Sequence, residues 1–159
     1  MVNTRFISVL IGLALLFVVI QHQLASYSVP QVKMIDNREV ECLARNIYFE
    51  ARNQSTRGQE AVAHVTLNRL KSGKHGNSIC EVVYQPYAFS WTLDKFKSNS
   101  KLKEIKAEAL ANEIAFKTML GETEDPTNGA THYHANYVKP YWSKRLEKKV
   151  RIQDHIFYE

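Results

Sequence analysis

At 159 residues, with 45% hydrophobic and 23% charged side chains and only six Gly and four Pro, the chain has the composition of one globular domain plus a short appendage. That composition excludes a disordered or low-complexity protein, and no second domain is expected. A formal net charge of +5 favours an anionic partner, whether nucleic acid, an acidic membrane surface or a wall carrying carboxylates and phosphates, without choosing among them.

The chain opens with Arg5 ahead of an uncharged apolar run from Phe6 to Ile20, the pattern of an export signal with its N-terminus in the cytoplasm. Residues 1–25 are expected to be a signal peptide or an uncleaved signal anchor. Ser26-Tyr27-Ser28 is a weak cleavage site, so both fates stay open. Residues 26–35, with Pro30, form the linker, and residues 36–159 form the folded domain. Export places that domain in the periplasm or cell envelope. There Cys42 and Cys80 fit a single disulfide closing a loop of about 40 residues, with two buried free thiols as the alternative.

The domain begins with a helix. Asp36 and Glu39 make a capping-box-like start, Val40, Leu43, Ala44 and Ile47 follow at helical spacing, and the helix ends near Arg52-Asn53. Thr56 and Gln59 make a second capping box before a second apolar helix that stops at Gly73. Residues 71–77 read as a basic loop, and Ile79 to Tyr84 as a short apolar piece of either type. A third long helix is expected from about Leu102 to Leu120, with Gly121 after it. Beyond the turn residues Asp125-Pro-Thr-Asn-Gly129, Thr131 to Val138 and Val150 to Tyr158 alternate like strands. The fold class is therefore α+β, a helical body carrying a small C-terminal antiparallel sheet and preceded by the export helix.

The most informative stretch is Cys42-Leu-Ala-Arg-Asn-Ile-Tyr-Phe-Glu-Ala-Arg52, continuing through Gly58-Gln-Glu-Ala-Val-Ala63 to Leu67-Asn-Arg69. Then come Ile79-Cys-Glu-Val-Val-Tyr84, Phe89-Ser-Trp-Thr92, Asp125 through Thr131-His-Tyr-His134, Val138-Lys-Pro-Tyr-Trp142 and Asp154-His-Ile-Phe-Tyr158. In this order the motifs resemble the SleB/CwlJ family of cell-wall hydrolases, over roughly residues 40–158. The resemblance implies a lysozyme- or transglycosylase-like body that cleaves peptidoglycan glycan strands. No cofactor, metal or nucleic acid is expected, a monomer is expected, and the apolar N-terminal segment is expected to meet the membrane.

The glutamate of the family's Tyr-x-Glu-Ala-Arg motif is its catalytic acid and maps onto Glu50. Local chemistry is compatible, because apolar neighbours such as Tyr48 and Phe49 disfavour the ionised carboxyl. A plain surface glutamate paired with Arg45 or Arg52 is the competing reading. The family also carries a second glutamate four residues on, where this chain has Gln54 after Asn53. A lytic transglycosylase does without that carboxylate, since one residue serves as acid and then as base to give a 1,6-anhydro sugar. Hydrolysis needs a partner carboxylate, for which Asp94, Asp125 and Asp154 are the candidates. Tyr48, Asn68, Ser90, Trp91, Tyr133 and His134 are the candidate substrate contacts. The loop Lys71 to His75 and the stretch Lys144 to Lys149 are candidate contacts to an anionic wall. His132-x-His134, with Asp154 or His155, keeps a zinc amidase as one alternative. The Asn53 and Gln54 departures keep a non-catalytic wall-binding domain as another.

Overall fold

The computed structural model describes residue 17 and residues 34–93 and 104–159. The expected export segment apart from Phe17, the expected linker as far as residue 33, and Asp94 lie outside the described residues.

Helix α1 spans Asn37–Ala51, and Asp36 caps it by accepting from the Arg38 amide at 2.8 Å. Glu39 does not complete the expected box. Its carboxylate instead accepts from the amides of Ile79 and, at 3.3 Å, Cys80, at the start of helix α3, Ile79–Tyr84. A negative charge at those orphan amides is favourable, so Glu39 ties two helices together rather than closing its own. The Cys42–Cys80 disulfide joins the same two helices.

Helix α2, Thr56–Ser72, is capped one residue before the expected Thr56, because Ser55 holds the extended conformation and accepts from the Gly58 amide at 3.3 Å. Gly73 ends it at φ 67, in the left-handed region that glycine adopts without strain. Helix α4, Ile105–Leu120, ends on Gly121 in the same way. A short 3-10 turn at Ser90–Leu93 precedes it, and another lies at Tyr141–Lys144.

The C-terminal third is a three-stranded antiparallel sheet of order β1-β3-β2, with β1 His132–Ala135, β2 Lys148–Ile152 and β3 His155–Tyr158. The expected strand over Val150 to Tyr158 is thus a hairpin. Its turn carries Gln153 at φ 48, so the chain reverses inside a run whose alternation looked continuous.

Two apolar clusters fill the domain. The larger gathers Leu43, Ile47, Val83, Phe89 and Ala115 among the helices, and the smaller joins Ala61 and Val65 of α2 to Ile152 and Phe157 of the sheet. Tyr133 packs against both. Opposite Phe157 in the β1–β3 register, it projects toward the helical body, and this brings its hydroxyl to the end of α1.

Candidate active site

Glu50 is the next-to-last residue of α1, where the unpaired carbonyls of a helix end disfavour an added negative charge. Its Oε2 accepts from the Tyr133 hydroxyl at 3.0 Å. Burial pushes its carboxyl above the usual glutamate range, while the Tyr133 hydrogen bond and the Arg69 charge pull it back down. Burial and the adjoining Glu50 also raise Tyr133 well above an ordinary tyrosine, so its phenol stays a donor.

Arg69 comes from α2 and is 7% exposed. Its Nε donates to the Thr131 carbonyl at 2.7 Å, and its guanidinium lies 4.8 Å from the centre of the Phe89 ring. Its Nη1 has no partner. A cavity of about 330 Å³ is walled by Glu50, Arg69, Phe89, Ser90, Tyr133, His134, Tyr137 and His155. Glu50 is the one carboxylate among those residues. Burial lowers the His155 imidazole below the ordinary histidine range, which keeps it neutral at neutral pH.

Ser90, Tyr133 and His134 therefore meet Glu50 in one cavity, whereas three other expected contacts sit elsewhere. Trp91 is 4% exposed, stacks on Phe49 with ring centres 4.6 Å apart and donates from its indole nitrogen to Asn46. Tyr48 is buried in the same core, with its ring edge-on to Phe49. Both rings lie in the core, Tyr48 from the inward face of α1 and Trp91 from the 3-10 turn that packs against it. Asn68 donates to Asp125 at 2.9 Å and to the Ala130 carbonyl at 3.0 Å, which braces the turn before β1.

The alternative partner carboxylates are also engaged. Burial pushes the Asp125 carboxyl up, but hydrogen bonds from Thr127, Asn68 and Gly129 outweigh this and hold it low. Asp154 accepts from Gln54 at 3.2 Å, and neither aspartate lines the cavity. Gln54 also accepts from the Asp154 amide, so the position where the family carries a second glutamate serves here as a clasp between the α1–α2 connection and the sheet.

His134 donates from Nδ1 to the Ala135 carbonyl at 2.8 Å and accepts at Nε2 from the Tyr158 hydroxyl at 3.0 Å. Both nitrogens are thus engaged. Among the described residues no group of three His, Cys, Asp or Glu side chains is disposed to hold a metal ion. The donor set does not fit the zinc reading.

Residues 53–158 match the family model described as Cell Wall Hydrolase, a span that begins just after Glu50. The spore cortex-lytic enzyme of Bacillus subtilis is 31% identical over 126 residues, covering 77% of this chain and 38% of that protein. The spore cortex-lytic enzyme of Oceanobacillus iheyensis is 33% identical over 136 residues, covering 83% and 45%. The chain thus spans less than half the length of these curated relatives. Among solved structures, the catalytic domain of the germination-specific lytic transglycosylase SleB from Bacillus anthracis superposes with a TM-score of 0.66 at 26% identity, over 82% of this chain and all of that one. The catalytic domain of the SleB protein of Bacillus cereus gives 0.67 at 25% identity, over 84% and 100%. With its helical body, its three-stranded sheet and two thirds of its length matched, the chain belongs to the Cell Wall Hydrolase family.

Proposed function

We propose that this protein cleaves the bond between N-acetylmuramic acid and N-acetylglucosamine in peptidoglycan as a lytic transglycosylase, with Glu50 as acid and then base. The observation that carries the reading is a carboxyl group with its pKa raised by burial, alone of its kind in a cavity walled by Arg69, Tyr133 and Ser90. In the first step neutral Glu50 gives its proton to the glycosidic oxygen as the bond to C1 breaks. The carboxylate so formed is stabilised by the Tyr133 hydroxyl and the Arg69 charge. It then takes the proton of the muramic acid C6 hydroxyl as that oxygen bonds to C1. The product is a 1,6-anhydro sugar, and no water is consumed.

Hydrolysis would call on a second carboxylate, and the cavity around Glu50 has none among the described residues. The Gln54 departure does not weaken the enzymatic reading, because that side chain is bonded to Asp154 rather than turned into the cavity. We further propose that residues 1–25 export or anchor the chain, residues 26–35 link, and residues 36–159 are the catalytic domain acting in the cell envelope. The disulfide suits that oxidising side of the membrane.

Digestion of purified sacculi followed by mass spectrometry tests the reaction. Anhydromuropeptides, lighter by one water than hydrolysed ones, are expected from the native protein, and Glu50→Gln should lower their release about 100- to 10,000-fold. Release by that variant at the native rate would refute the role of Glu50.

A further inference from the structure

A second cavity of about 350 Å³ adjoins the first and shares Arg69, Ala88 and Tyr133 with it. No carboxylate lines it, and its titratable groups besides Tyr87 and Tyr133 are Arg69, His75 and His132. The two imidazole rings stand 6.2 Å apart. A buried guanidinium whose Nη1 has no acceptor is costly to keep, and an anion would supply what is missing. His132 stands in the same positively charged surroundings. Burial, then Arg69 and His75, lower its affinity for a proton, a repulsion that a negative ligand relieves. In the tautomer in which the Thr131 hydroxyl donates to Nδ1, at 2.9 Å, His132 keeps a proton on Nε2 to offer such a ligand.

The rim carries a second signal. Tyr87 is 84% exposed and sits at φ 65, a left-handed conformation that costs a bulky residue energy and that recurs at ligand sites. A flat apolar ring presented there suits the face of a sugar.

We propose that this second cavity is a subsite for a carboxylate borne by the muramic acid sugar, on its lactyl group or on the peptide attached to it, with Arg69 and His132 receiving the carboxylate. The inference rests on the glycan-cleaving reading above. Because the two cavities share Arg69, a carboxylate held here lies beside the sugar whose bond Glu50 attacks. The subsite thereby fixes which of the two alternating sugars occupies the reacting position, since N-acetylglucosamine carries no carboxylate.

Calorimetric titration of the full-length Glu50→Gln protein, which binds without cutting, tests this with three tetrasaccharides. One alternates N-acetylglucosamine with peptide-free muramic acid, one bears the stem peptides, and one is chitotetraose, which has no carboxylate. At least one anionic ligand is expected to bind about tenfold more tightly than chitotetraose, and the one preferred identifies the source of the carboxylate. His132→Gln in the same background should bring the affinities together. It is the variant to use because Arg69 also holds the Thr131 carbonyl. Equal binding of all three ligands would overturn the subsite and leave the glycan reading standing. Binding of none would sink both.

Discussion

Glu50 sits between opposed influences, and their balance suits a group that must both give and take a proton. Burial favours the neutral carboxyl, while Tyr133 and Arg69 favour its ionised form once the proton has left. The sign of each influence can be tested. Activity requires the neutral acid, so the rate should fall as pH rises through the raised pKa, on the alkaline side of the ordinary glutamate value of 4.5. Tyr133→Phe removes an influence that lowers the Glu50 pKa, so this falling limb should move to higher pH; a limb that stays put or moves down would disprove the assignment. Stability follows the same linkage. An acid whose folded pKa exceeds its unfolded one binds more protons when folded, so its penalty is absent below about 4.5 and grows as pH rises toward the folded value. Glu50→Gln should therefore raise the melting temperature more at about pH 8 than at about pH 4. An equal difference at both would count against a buried, raised carboxyl.

Among the elements, α3 is held to α1 by two devices, the Glu39 carboxylate at its first amides and the Cys42–Cys80 disulfide. With the cysteines separated by 38 positions in the sequence, the cross-link restricts the unfolded chain by about 3 to 4 kcal/mol. Replacing both by alanine should lower the unfolding free energy in denaturant titrations by roughly 3 kcal/mol, and an unchanged midpoint would show the link to be idle. The helices were legible in advance because apolar spacing and the stop residues Gly73 and Gly121 act locally. The hairpin at Gln153 was not, because alternation persists across the turn and no glycine marks it. That Glu50, Ser90, Tyr133 and His134 would lie together was legible through motif order, and they line one cavity. Trp91 and Tyr48 were expected beside them and lie in the core instead, because a motif aromatic reads the same whether its ring faces a core or a groove. Arg69 lies within its motif yet shows no role in the sequence, since nothing local separates a buried arginine from a solvated one.

At the scale of the whole domain, the site exists because two separate cores are joined at one residue. Glu50 and Arg69 come from α1 and α2, while Tyr133 comes from the sheet and packs against both the helical cluster and the cluster under the strands. A domain bridged in this way should lose its helices and its sheet together. Each part can be followed in a single Trp91→Phe variant, where far-ultraviolet circular dichroism reports mainly the helices. The remaining described tryptophan, Trp142, reports the sheet, lying against His132, His134 and Tyr158. In denaturant the two signals should share one midpoint, and muropeptide-releasing activity should vanish over the same range. If the Trp142 signal changed first while the helical signal held, the sheet would be an independently melting unit. Tyr133 could not then be fixed firmly enough to set the protonation of Glu50, and the account of the site would fail with it.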